Sequence, residues 1–128
     1  MIQGIDHVAI GVADLETAIQ LFESVLGMKV QHPEDVASFK VKIATLATGG
    51  TDMELIQATT DDSPVAKFVA ERGARLHHTA FPFPDIDTAV APRWLAASRS
   101  GATCPLMLRS TVCSSSPMSA MYVSPCSS

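Results

Sequence analysis

Alternation of apolar and polar residues predicts five strands in the first 83 residues. A period of two is typical of a strand that buries one face and exposes the other. The predicted strands lie at 4–12, 28–32, 39–48, 51–58 and 75–83, with a loop over 33–38 and a hairpin turn at Gly49–Gly50.

Two helices are predicted between these strands. Asp14 is an expected N-cap for a helix with an apolar face, which Gly27 ends. A shorter helix begins at Pro64, for which Asp61, Asp62 and Ser63 are candidate N-caps, and it stops at Gly73. The first four strands and the first helix therefore form a βαβββ unit over residues 1–60, and the second helix, within 63–73, is a linker.

The start of this unit recurs later in the chain. The stretches IDHVAIGVADLETAI and LHHTAFPFPDIDTAV overlay at a constant offset of 71, which places His7 on His78 and Asp14 on Asp85. Self-similarity at a fixed spacing predicts two modules of one design, each unable to bury its sheet face alone. Residues 75–90 are the expected start of the second module.

The pattern fails after about residue 90. Pro92 falls where a helix interior is expected, and a proline there costs about 3 kcal/mol. Residues 110–128 are rich in Ser, Pro, Cys and Met without an apolar period. We therefore predict one domain over 1–90 and an irregular C-terminal segment over 91–128.

Composition excludes several classes of protein. The 128 residues carry a net charge of -4 without a basic stripe, which disfavours nucleic acid as a partner. No apolar run approaches the roughly 20 residues of a membrane helix. The N-terminus lacks a signal-peptide pattern, which leads us to expect a cytoplasmic protein. Three cysteines, all after residue 100, fit neither a zinc site nor a closed disulfide framework.

Candidate metal-binding chemistry lies on the strands. His7 and Ala9 share a face of the first strand, and Glu54 interrupts the apolar fourth strand between Met53 and Leu55. A buried carboxylate requires a partner. Imidazoles and a carboxylate suit a divalent cation, whereas a lone histidine is more often a hydrogen-bonded strand residue. Two histidines at equivalent repeat positions with a nearby carboxylate favour the metal.

The chain resembles the methylmalonyl-CoA epimerases of the vicinal oxygen chelate superfamily over residues 2 to about 90. The segment IDHVAIGVADLETAIQLFESVLGMKV is similar to the superfamily as a whole, including glyoxalases and extradiol dioxygenases. The segment MELIQATTDDSPVAKFVAERGARLHHTAF, with DIDTAV after it, is more particular to the epimerases. The resemblance implies an α+β fold in which paired βαβββ modules form a curved, cup-like mixed sheet, here with an incomplete or irregular second module.

The resemblance also implies a ligand set for a divalent metal. Carried over, the ligands are His7, Glu54 and His78, with His77 as the outward neighbour of His78. Cobalt is the expected metal, with nickel, zinc, manganese and iron as alternatives. The implied partners are an acyl-CoA substrate and a second copy in a homodimer.

The chain departs from the family pattern at both expected bases. The family's fourth ligand, a Glu in a C-terminal strand of the type VLVEL that is also one of two bases, has no counterpart, because no acidic residue follows Asp87. The other base falls on or near Lys42, which we expect to be a solvated strand residue. The catalytic residues are therefore unassigned.

Three functions follow from the resemblance. The leading one is epimerisation of 2R- and 2S-methylmalonyl-CoA through an enolate, impaired by the missing carboxylate. A glyoxalase-type metal-dependent isomerase and a non-catalytic small-molecule binding protein are the alternatives.

Residues 91–128 have the character of a frame-shifted translation. Residues 117–128, PMSAMYVSPCSS, can be encoded by GC-rich codons that, read one base earlier, spell THVGDVRVAVLV before a codon beginning in G. That product is an alternating strand similar to the missing family strand. The DNA sequence beyond codon 90 would test this prediction.

Overall fold

The computed structural model describes residues 4–31, 33–83, 106–112 and 119–125. These form two compact units, His7–His77 (the first unit) and Met1–Asp6 with His78–Ser128 (the second unit). In chain order, the elements are β1 (His7–Gly11), α1 (Leu15–Leu26), β2 (Glu34–Val36), a 3-10 turn (Ala37–Phe39), β3 (Val41–Ala47), β4 (Asp52–Ala58), α2 (Pro64–Arg72), β5 (Arg75–Phe83), β6 (Leu106–Val112) and β7 (Ser119–Pro125).

Both helices of the first unit begin and end where the sequence predicts, and Ser63 is the one of three candidate residues that caps α2. The Asp14 carboxylate accepts a 3.1 Å hydrogen bond from the Thr17 N–H, and Gly27 adopts a left-handed φ of 63° at the end of α1. The Ser63 hydroxyl accepts from the Val65 N–H at 3.3 Å, and Gly73 ends α2. The predicted bounds of both helices are confirmed.

Four strands of the first unit form a sheet in the order β2-β3-β4-β1. β2, β3 and β4 are successively antiparallel, whereas β4 runs parallel to β1. A parallel pair requires a crossover, and here α1, β2 and β3 all lie between the two strands in sequence. The last strand of the predicted βαβββ unit therefore returns beside the first.

The two helices pack on opposite faces of this sheet. Leu15 and Ile19 of α1 pack with Leu46 and Leu55. Val65 of α2 packs in a separate cluster with Ala9, Val41 and Ile56. Because strand residues alternate between faces, His7 and Glu54 share the face of Ala9 and Ile56, on which α2 lies.

The second strand differs from its predicted position. Residues 28–32 contribute only an isolated bridge between Val30 and Leu46, and β2 forms instead at Glu34–Val36, within the predicted loop. A 3-10 turn then leads to Lys40, whose left-handed φ of 54° sets the chain at the start of β3. Pairing with β3, rather than local alternation, determines where this strand forms.

In the second unit, residues 79–83 of β5 pair antiparallel with β7, and β7 pairs antiparallel with β6. The Asp6 N–H also donates to the Ala80 carbonyl at 2.9 Å. β5 has its predicted bounds, but β6 and β7 were not anticipated in a segment expected to be irregular. The helix predicted after Asp85 lies outside the described residues.

No helix in the described parts of the chain has both the length and the apolar character needed to cross a membrane.

Candidate metal centre

His7 and Glu54 meet across the parallel β1–β4 pair. Ala9 lies directly opposite Glu54 in the register, so His7 is two residues away along the same face. The Nε2 atom of His7 lies 3.6 Å from Oε2 of Glu54. The structure thus brings together two of the three predicted ligands.

This pair has a separation that suits a shared cation. A good hydrogen bond between these atoms would be about 2.7–3.2 Å long. Two ligand atoms that each lie about 2.1 Å from one tetrahedral ion are about 3.4 Å apart, close to the observed 3.6 Å. The side chains are only 4% and 17% exposed, so water screens them little. The donor types and the spacing both fit a divalent metal.

The third predicted ligand, His78, is half-buried in β5 and belongs to the second unit. Across 4–31, 33–83, 106–112 and 119–125, no group of three or more His, Cys, Asp or Glu side chains is close enough together to hold a metal ion. The His7–Glu54 pair is therefore the assembled part of the predicted set, and coordination by His78 stays a prediction.

His77 packs against α2 in the first unit. Its ring contacts Phe68 edge-on, with 4.7 Å between the ring centroids. The guanidinium carbon of Arg72 lies 5.8 Å from the centre of the same Phe68 ring. Burial lowers the pKa of His77 below its usual value of 6.5, because desolvation penalises the charged imidazolium. These contacts explain a structural role for His77.

Lys42 lies on the face opposite to the His7–Glu54 pair. It is exposed and stands directly across from Gln57, whose neighbours along β4 place it on the α1 side of the sheet. The register therefore separates Lys42 from His7 and Glu54. The prediction that it is a solvated strand residue agrees with its exposure.

Two carboxylates that the sequence reasoning missed share the face of the pair. Asp52 stands directly across from His7, and Glu34 on β2 stands across from Ile43, which in turn faces Ile56. Both are exposed. Residue spacing alone could not find Glu34, because the expected position of the second strand was wrong.

A cavity of about 320 Å³ lies elsewhere in the first unit. It is bounded by the residues that follow β1, by the end of β4 and the turn after it, and by one side of α2. His7 is the first residue of β1 and does not line it. The cavity is therefore distinct from the His7–Glu54 pair.

Comparison with known proteins places these features in a family. The family model of the Glyoxalase/Bleomycin resistance protein/Dioxygenase superfamily matches residues 6–98. The protein YqjC of Bacillus subtilis (strain 168), whose function is uncharacterised, is 40% identical over 77 residues, which are 60% of this chain and 55% of YqjC. The mitochondrial methylmalonyl-CoA epimerase of Bos taurus is 34% identical over 87 residues, 67% of this chain and 50% of that enzyme.

A solved structure gives the corresponding result for the fold. A variant of Streptomyces coelicolor methylmalonyl-CoA epimerase, in complex with 2-nitronate-propionyl-CoA, superposes with a TM-score of 0.68 and 28% identity, over 76% of this chain and 74% of that one. The predicted α+β fold class and the resemblance to methylmalonyl-CoA epimerases are thereby confirmed. The matched segment spans about half the length of the two relatives above. The chain belongs to the Glyoxalase/Bleomycin resistance protein/Dioxygenase superfamily.

Proposed function

We propose that this chain is a metal-dependent isomerase that moves the proton at the α-carbon of an acyl-CoA thioester, with methylmalonyl-CoA as its substrate. The observation that carries the proposal is the His7–Glu54 pair, two metal-ligand side chains 3.6 Å apart in a chain similar to methylmalonyl-CoA epimerases. The resemblance to methylmalonyl-CoA epimerases implies a divalent metal at this pair.

His7, Glu54 and His78 would hold the metal, which we propose to be Co²⁺, with Ni²⁺, Zn²⁺, Mn²⁺ or Fe²⁺ as alternatives. A bound divalent cation supplies stabilisation of the negative charge that develops on the thioester oxygen. The burial of His7 and Glu54 keeps water from competing with that charge. The chain's own contribution at this position is a preformed, poorly solvated pair of ligands.

Proton transfer requires a base within reach of the α-carbon. We assign Glu34 and Asp52 as candidate bases, in addition to the proposed metal ligand Glu54. In the strand register both lie on the same face of the sheet as His7. Two-sided proton transfer needs two bases, whereas exchange of the proton with solvent needs only one. We therefore expect exchange to be more readily observed than full epimerisation.

The decisive experiment is deuterium incorporation at the α-carbon of methylmalonyl-CoA in D₂O, followed by mass spectrometry with and without added Co²⁺. We expect metal-dependent incorporation that His7→Ala abolishes. Glu34→Gln and Asp52→Asn, tested separately, should identify the base. Glu23→Gln, at an exposed position of α1, is the charge-matched control. Absence of incorporation by a protein that has bound one equivalent of metal would contradict the proposal.

The same preparation separates the alternatives. Turnover of the glutathione hemithioacetal of methylglyoxal, without exchange into methylmalonyl-CoA, would identify a glyoxalase-type isomerase. Ligand binding that is unaffected by metal removal would identify a non-catalytic binding protein.

We propose further that the chain works as a homodimer in the cytoplasm, as expected from the sequence and the family resemblance. Light scattering coupled to size-exclusion chromatography measures the oligomer directly, and a mass of one chain would contradict the dimer.

A further inference from the structure

The cavity beside α2 has a mixed lining that defines a chemical class of ligand. Its polar side includes the hydroxyl-bearing residues Thr59 and Thr60 and the acidic residue Asp61. Its apolar side is formed by Val65, Ala66, Val69 and Ala70, which recur at helical spacing along one side of α2. The cavity thus joins an apolar wall to a group of acceptor oxygens.

Charge distinguishes among the small molecules that such a cavity admits. Asp61 is the charged side chain of the lining, and it is negative. The volume of about 320 Å³ lies at the small end of the roughly 300–1,000 Å³ typical of ligand sites. A carboxylate next to an apolar wall attracts a cation and repels an anion of equal size.

From this arrangement we infer a second ligand site, for a small primary ammonium compound with a short alkyl body. The ammonium group donates to Asp61 and the threonine hydroxyls, and the alkyl chain lies against Ala66 and Val69. The site is separate from the His7–Glu54 pair, because neither of those residues lines the cavity. It does not depend on the proposed isomerase activity.

Three four-carbon probes of equal length test the inference on the whole chain: butylammonium, butanol and butyrate. Chemical shifts of backbone amides, measured by NMR during titration, report where each probe binds. We expect saturable shifts with butylammonium at residues 57–61 and 65–70, weaker shifts with butanol and none with butyrate. Equal binding of butanol and butylammonium, or shifts scattered over the surface, would overturn the inference.

Two substitutions test separately the charge of Asp61 and the volume of the cavity. Asp61→Asn should weaken butylammonium binding about two- to fivefold, the range of a solvent-exposed ion pair. It should leave butanol binding unchanged. Ala66→Leu, which keeps a good helix former on α2, should block both probes. Glu23→Gln on α1 removes the same charge far from the cavity, and an equal loss in this control would refute a specific role for Asp61.

Discussion

The Oε1 atom of Gln57 accepts a 2.8 Å hydrogen bond from the backbone N–H of Leu15, the first residue of α1. The first four N–H groups of a helix lack partners within the helix, so this side chain satisfies one of them from a neighbouring strand. Gln57 therefore connects β4 to α1, while Glu54, three residues earlier, points to the opposite face of the sheet.

Replacing Gln57 by Ala should lower the free energy of unfolding by about 1 kcal/mol, because the Leu15 N–H loses its acceptor. Urea denaturation followed by circular dichroism measures the change. Gln20→Ala, at an exposed position of α1, is the matched control and should change the free energy of unfolding little. A Gln57→Ala protein as stable as the control would show that water replaces the side chain fully.

Replacing His7 or Glu54 should change metal affinity according to what the new side chain can donate. His7→Ala should weaken Co²⁺ binding by more than the roughly 10- to 100-fold typical of an outer-shell partner. Glu54→Gln keeps an oxygen ligand and should retain weaker binding, whereas Glu54→Ala should resemble His7→Ala. Metal content after dialysis checks this, and an affinity equal to that of the parent protein in all three variants would exclude the pair as ligands.

The two adjacent histidines of β5 should behave differently when each is replaced by Ala. His78→Ala should abolish stoichiometric metal binding, because the sequence overlay equates His78 with His7. His77→Ala should retain the metal and lose about 1–2 kcal/mol of stability, because its ring packs against Phe68. The reverse pattern of metal content would mean that the strand register assumed from the overlay is wrong.

The lowered pKa of His77 predicts a specific dependence of stability on pH. The unfolded chain takes up a proton near pH 6.5, whereas the folded chain resists protonation until a lower pH. The contribution of His77 to stability is therefore complete above about pH 6.5 and is lost as the pH falls below it. Unfolding free energies at pH 7.5 and pH 5.5 should differ less in His77→Phe than in the parent protein.

Asp62 contributes to the pH dependence of stability in a more acidic range than His77. The hydrogen bond from Lys40 lowers the pKa of Asp62 below its usual 3.8, so its contribution is lost only under more acidic conditions. An unchanged difference between pH 7.5 and pH 5.5 in His77→Phe would assign the dependence to other groups.

The coding DNA should contain, one base out of frame beyond codon 90, a segment that encodes a VLVEL-like strand. Sequencing the gene decides this directly. An uninterrupted frame without such a segment would refute the prediction and would make β6 and β7 the native partners of β5. Restoring the frame should supply the missing carboxylate and raise epimerase activity.

Local signals were sufficient for the helices and insufficient for one strand. Asp14, Gly27 and Gly73 determine helix ends through their own backbone and side-chain chemistry, so the sequence alone predicted them correctly. For the start of α2 the sequence offered three candidate caps, Asp61, Asp62 and Ser63, and the structure selects Ser63. Residues 34–36 have two acidic side chains and little strand propensity, and they become a strand only because β3 offers a partner.

The candidate site was predictable in composition and only partly in geometry. The carboxylate in an apolar strand and the histidine repeat made His7 and Glu54 candidates, but their approach depends on parallel pairing of β1 with β4. Residue spacing also could not predict which face of the sheet each side chain occupies. Lys42 and Glu34 are assigned to opposite faces only once the register of β2, β3 and β4 is known.

The parallel arrangement of β1 and β4 also determines when the pair can form during folding. β3 and β4 are joined by a short turn, whereas His7 and Glu54 are 47 positions apart in the chain. Contacts across such a distance must overcome the entropy of closing a long loop, so they form after local ones. A divalent ion that binds both side chains therefore stabilises the unit only after β1 has docked. Such an ion should slow unfolding while leaving formation of the β3–β4 hairpin unchanged.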